Sequence, residues 1–128
     1  MATSQASELA LTIDGFQNDR GSALIALVNS RKTFEDRNDE LPSYKSARVN
    51  IVNGKAQYLF RSVPQGEYAI KIFHDQNDNQ HLDKGFLGIP TEDYGFSNNV
   101  SGTFGPPDYD EAMFIINIEK QAIHIQIQ

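Results

Sequence analysis

Leu9, Leu11 and Ile13 alternate with Ala10, Thr12 and Asp14, and this two-residue period returns along most of the chain. A period of two belongs to a pleated strand with one face buried. No segment of convincing length carries apolar residues at three- and four-residue spacing, so strands have to supply the fold. Glu8 to Phe16 reads as the first strand, and Asn18-Asp19-Arg20-Gly21 supplies turn chemistry after it. Ser22 to Asn29 is apolar on both parities, which suits a strand near the middle of a sheet. Ser30 to Lys45 is a polar crossing loop pinned by Phe34, Leu41, Pro42 and Tyr44.

Ala47 to Val52 and Lys55 to Arg61 are two further strands joined at Asn53-Gly54. That pair is a strong hairpin signal, because a type I′ turn needs positive φ at both central residues. Ala56, Tyr58 and Phe60 share a face. After the Val63-Pro64-Gln65-Gly66 turn, Glu67 to His74 places Tyr68, Ile70 and Ile72 on one face and Ala69, Lys71 and Phe73 on the other. Ala112 to Ile118 and Ala122 to Ile127 predict a final hairpin, with Ile123, Ile125 and Ile127 facing in. The expectation is an all-β fold, a single seven-stranded antiparallel β-sandwich of immunoglobulin-like or transthyretin-like type. It covers residues 8–128 as one domain, with 1–7 as a disordered or appended N-terminus.

Composition narrows the function. A chain of 128 residues without cysteine has no thiol nucleophile, no disulfide scaffold and no Cys-ligated metal centre. Its net charge of −6 and its lack of a basic stripe exclude a nucleic-acid partner. No apolar run approaches the ~18 residues of a membrane span.

Between Asp75 and Glu111 the periodicity lapses and glycine, asparagine and proline accumulate. Asp75, Asn77, Asn79 and Asp83 fall at positions 1, 3, 5 and 9 of a loop, the spacing of oxygen ligands in an EF-hand-like calcium site, with the His81 backbone carbonyl at position 7. A hard cation wants six to eight oxygens, and alternate residues of a curled loop can point them inward. Gln80 stands where an EF-hand has glycine, and Phe86 where it has glutamate. The competing explanation is an Asp/Asn-rich turn bonded to its own backbone.

Further along, Tyr94, Phe96 and Phe104 could line a ligand cleft, with the amides of Asn98 and Asn99 giving specificity. The more economical reading packs the long loop as an ordered cap, with Phe86, Leu87, Ile89, Tyr94, Phe96 and Phe104 over one end of the sandwich. Ser97 follows Gly95 by two residues but lacks the second glycine of a nucleophile elbow, with Asn99 in its place, and no phosphate loop is present. His74 or His81 with Asp75, Asp83 or Glu92 would make a small hydrolase or lyase the alternative. His124 lies on the polar side of the last strand and reads as solvated.

The blocks Pro64-Gln65-Gly66-Glu67-Tyr68-Ala69-Ile70, Phe73-His74-Asp75-Gln76-Asn77-Asp78-Asn79 with Leu82-Asp83, and Phe86-Leu87-Gly88-Ile89-Pro90-Thr91-Glu92 with Tyr94-Gly95-Phe96-Ser97-Asn98-Asn99 resemble a bacterial family, the domain of unknown function 2141. Gly105-Pro106-Pro107 fits as well, and the resemblance runs from Leu9 to Ile127. It implies a periplasmic or extracellular setting and brings no activity with it. Relatives often carry a glycine near Gln80, where this chain does not. The Pro-x-Gly-x-Tyr turn is also similar to transthyretin-like and carboxypeptidase-regulatory-like sandwiches, at the level of fold. The hydroxyisourate hydrolases of the transthyretin group end in Tyr-Arg-Gly-Ser, whereas this chain ends in Ile125-Gln126-Ile127-Gln128. The leading expectation is a non-enzymatic binding or accessory module with calcium in the acidic loop. Its partner is left open among a small molecule, a glycan and a protein.

Overall fold

The alternating segments become strands in a computed structural model, which describes residues 6–35, 43–76, 94–100 and 107–127. Among these residues there are eight strands: β1 Ala6–Asp14, β2 Ser22–Val28, β3 Lys45–Asn50, β4 Ala56–Pro64, β5 Gly66–Asp75, β6 Tyr94–Phe96, β7 Phe114–Ile116 and β8 Lys120–Gln126. They form two sheets. One is ordered β4-β1-β8; the other is ordered β3-β2-β5-β6, with β7 also on β5. The fold is mostly β, as the periodicity predicts.

The inward residues of both sheets meet in one core that includes Leu9, Leu11, Ile13, Ile25, Leu27, Phe60, Tyr68, Ile70, Ile72, Ile116 and Ile125. β2 is apolar on both parities because it lies between β3 and β5 and both its faces are covered. Its outer side and that of β5 carry a second, smaller cluster: Val28, Phe34, Ala69, Phe96, Tyr109 and Ala112. Two one-turn helices bring the distant members there, α1 Arg31–Phe34 and α2 Tyr109–Ala112. Ser30 Oγ caps α1 by accepting from Thr33 N at 3.1 Å. In α2 the Glu111 carboxylate accepts from the backbone N–H of Asp108 at 3.2 Å, half of the reciprocal bonding that starts many helices.

Four expectations need correction. The described strands number eight rather than seven, because Tyr94–Phe96 adds a short strand to β5. The arrangement is not wholly antiparallel, since β8 runs parallel to β1 from Glu8 opposite Lys120 to Asp14 opposite Gln126. The C-terminal hairpin does not form: β7 joins β5 in one sheet and β8 joins β1 in the other. Side-chain and backbone bonds direct that crossing. Gln121 Nε2 donates to Ile115 O at 2.9 Å, while Ser7 Oγ donates to Ile118 O and Glu8 N to Glu119 O, drawing the chain onto β1. Finally, β1 begins at Ala6, and Ser7 is fully buried rather than part of a loose leader.

The Asn53-Gly54 turn forms as its residue types demand, with φ of 55° and 75° and both Val52–Lys55 backbone bonds in place. The strands it joins then part, β3 to β2 and β4 to β1, so the turn is a corner between sheets. β4 carries a bulge as well. Ser7 faces Val63 and Leu9 faces Phe60, leaving Arg61 and Ser62 opposite Glu8 alone, with Ser62 at φ 57°.

Candidate functional site

The acidic loop leaves the sheet at the end of β5, where the structure describes its first two residues, Asp75 and Gln76. Asn77, Asn79, His81 and Asp83 lie outside the described residues, as do Phe104 and Glu92. What is described is the root of the loop, and it is tightly held. Asp75 and His74 are both fully buried. The β1–β2 turn folds over them: a Cβ on Gly21 would fall 1.9 Å from the Asp75 carbonyl oxygen, so only glycine fits there, at φ +67°. Asn18 Oδ1 accepts from Arg20 N at 2.9 Å, which gives that turn its shape. Arg20 Nη2 and Asn18 Nδ2 both donate to Gln76 Oε1, at 3.2 and 3.4 Å.

His74 is positioned by the same turn. Its Nε2 lies 2.6 Å from Arg20 O, and a carbonyl can only accept, so this nitrogen carries the proton. Phe16 stands edge-on to the imidazole at 5.2 Å between centroids. Nδ1 is buried with no hydrogen-bond partner. An imidazole sealed in this way is part of the core and is not open to a substrate. Among the described residues, no group of three or more His, Asp or Glu side chains gathers in a way that could hold a metal ion.

The second candidate region, Tyr94 to Asn99, is described and is knitted into the fold. Tyr94, Phe96, Phe34 and Tyr109 form a run of edge-on rings at 5.5, 5.9 and 5.9 Å. The Lys71 ammonium lies 5.3 Å from the centre of the Phe34 ring, a cation–π contact. Burial pushes the Tyr109 phenol above its ordinary pKa, with a further push from the Glu67 charge. Ser97 Oγ accepts from Ile70 N at 2.9 Å and donates to Ala112 O at 2.6 Å. Asn98 sits at φ 61°, and its Nδ2 donates to the carbonyls of Glu111 and Met113 at 3.1 and 2.9 Å. Asn99 Oδ1 accepts from Gln126 N at 2.8 Å, covering part of the free edge of β8. The two amides proposed to read a ligand are thus engaged with backbone.

Beside them lies an open cleft of about 360 Å³ lined by Ser97, Asn98, Asn99, Phe114, Ile123 and His124. His124 is half exposed and its Nε2 lies 3.0 Å from Asp14 Oδ2, a pairing that the alternation of β8 alone does not reveal. Sequence reasoning also missed the structural work of Ser97 and Tyr109, whereas Phe34, read as a pin of its loop, is fully buried. The Asp108-x-x-Glu111 spacing was a legible signal for α2.

The family of uncharacterised proteins conserved in bacteria, domain of unknown function 2141, matches residues 11–124. The chain belongs to this family. Comparison with curated proteins gives no match, and neither does comparison with solved structures. The blocks that carry the family resemblance now have places in the fold: Pro64–Ile70 enters β5, His74–Gln76 roots the acidic loop, and Tyr94–Asn99 extends the larger sheet beside β5 and gives Phe96 to the outer cluster. Among the described residues, no helix is long and apolar enough to cross a membrane.

Proposed function

We propose that this family member is a non-enzymatic binding or accessory module of the cell envelope or exterior, with a calcium site in the loop Asp75–Asp83. The observation that supports it most is the root of that loop. Asp75, the first oxygen ligand in the spacing, is fully buried at the last position of β5 and clamped by Gly21, while Gln76 is tied to Asn18 and Arg20. A ligand held on a rigid strand end loses little entropy on binding, which is what a site with only two carboxylates among neutral amide and carbonyl oxygens needs. The sealed imidazole of His74 favours this reading over a His–carboxylate hydrolase or lyase. The frame we propose is a sandwich of transthyretin-like or immunoglobulin-like type, supported by two sheets sharing one core and by the Pro64-Gln65-Gly66-Glu67-Tyr68 entry to β5.

Calcium that binds only the folded chain raises its melting temperature with concentration. Titrating metal-stripped protein with calcium should therefore give a rising Tm and heat of binding in calorimetry, both lost in Asp83→Ala and in Asn77→Ala. A Tm unchanged in millimolar calcium would overturn the proposal and leave a self-bonded turn.

A further inference from the structure

Asn-Gly is the sequence most prone to deamidation, because glycine leaves its backbone nitrogen free to reach the asparagine side chain. Asn53 is exposed at a turn corner, so water and base reach it freely. Yet this turn carries an additional contact that neither its type nor its neighbours require. The Asp19 carboxylate reaches across from the β1–β2 turn and takes both of its central N–H groups, Asn53 N to Oδ2 at 2.9 Å and Gly54 N to Oδ1 at 2.8 Å. We propose that Asn53-Gly54 is a latent deamidation site that Asp19 holds closed.

The chemistry sets what Asp19 must oppose. Gly54 N gives its proton to a base from solvent and attacks Asn53 Cγ. The new C–N bond closes a five-membered imide, and the side-chain nitrogen leaves as ammonia. Water then adds to one of the two imide carbonyls and opens it, giving aspartate from one side and isoaspartate from the other. The net change is one water consumed and one ammonia released. Asp19 works against the first step twice. It engages the very N–H that has to be lost, in a charge-assisted hydrogen bond, and its negative charge disfavours the amide anion that would form. The paired bond to Asn53 N holds the corner in place, so that Gly54 N cannot swing toward Cγ.

The consequence reaches beyond the turn. The segment that provides Asp19 also provides Arg20 O to His74, and Asn18 and Arg20 to Gln76. A carboxylate newly formed at position 53 would stand against Asp19 and push on the same segment that braces the acidic loop. Deamidation would thus be felt at β5 as well as at the corner.

The test is a timed incubation at mildly alkaline pH, followed by proteolysis and mass spectrometry of the peptide containing residue 53. Four samples are compared: native wild type, wild type in urea, and Asp19→Ala and Asp19→Asn under native conditions. Native wild type should deamidate at least about ten-fold more slowly than the urea sample, the factor expected when a hydrogen bond to a charged acceptor must break first. Asp19→Ala should recover most of that factor, and Asp19→Asn, which keeps an uncharged acceptor, should fall between. Native wild type as fast as the urea sample would overturn the proposal, and so would Asp19→Ala as slow as wild type. The first comparison needs no variant to fold.

Discussion

The two apolar clusters of this protein are built on opposite principles. The core between the sheets takes its residues in runs: Leu9, Leu11 and Ile13 from one strand, Ile70 and Ile72 from another. The cluster outside the larger sheet takes single residues from positions 28, 34, 69, 96, 109 and 112, and brings them together with two one-turn helices and a three-residue strand. A strand half-buried by pattern needs only its partners to find its place. The outer cluster needs the sheet to exist first, because four-residue helices do not form on their own. The inner core should therefore carry the global stability, and the outer cluster should be able to open by itself.

Truncating one large buried side chain in each region tests that difference. Phe34 is fully buried against Phe96 and Tyr109, and Phe34→Ala should cost about 3–5 kcal/mol if the cluster unfolds together with the rest. Leu11→Ala, in the middle of β1, should cost about 2–5 kcal/mol. Their signatures should differ. Leu11→Ala should move the denaturant midpoint at constant m-value, whereas Phe34→Ala should lower m, because part of the apolar surface is already exposed before the main transition. Amide exchange at β6 and α2 should then speed up while β1 stays protected. Uniform loss of protection in the Phe34 variant would show that the two clusters unfold as one.

Next in size is Ser97→Ala. This hydroxyl links Ile70 N of β5 to Ala112 O of α2, and both it and its partners are buried. Its loss leaves a β5 amide and an α2 carbonyl without partners, at about 1–3 kcal/mol for each unsatisfied group. The fastest amide exchange should appear at α2 rather than at β5, if the serine is the strap that holds the outer cluster to the sheet. Ser30→Ala removes the cap of α1 together with the bond from Ser30 Oγ to Thr33 Oγ1, and should cost about 1 kcal/mol in chemical denaturation.

What could be read from the sequence divides along the same line. Periodicity placed seven of the strands, the inward set of β8 and the central position of β2, because alternation reports directly on which face is buried. The Asn53-Gly54 turn was legible down to its positive φ values. Which strands pair was not, because a turn fixes local geometry while partners are chosen by non-local contacts such as Ser7 Oγ to Ile118 O. The outer cluster was legible only in parts for the same reason: Phe34 reads as a pin of its loop and Tyr94 and Phe96 as packed rings, but they meet Tyr109 only after β2 and β5 are assembled. At the candidate site, the ligand spacing from Asp75 was visible, but the clamp on its root, made by Gly21, Asn18 and Arg20, arises from a turn more than fifty residues earlier in the chain.

The smallest effect expected is at alkaline pH, and it compares the two regions by one tyrosine each. Tyr68 belongs to the inner core and Tyr109 to the outer cluster, and both phenols are raised above their ordinary value mainly by burial. Tyr68 also donates its hydroxyl to Pro64 O at 2.6 Å, a bond that the phenolate would lose. A raised pKa in the folded state means the unfolded chain gives up these protons first. The stability that the neutral phenols supply is thus complete below about pH 10, the ordinary tyrosine value, and drains away as pH climbs toward the folded-state values. Following phenolate absorbance in Tyr68→Phe and Tyr109→Phe separates the two groups. If the outer cluster opens alone, Tyr109 should ionise through that opening, before the protein unfolds, while Tyr68 should ionise only with global unfolding. Simultaneous ionisation of both with unfolding would show that the outer cluster is as firmly held as the inner core.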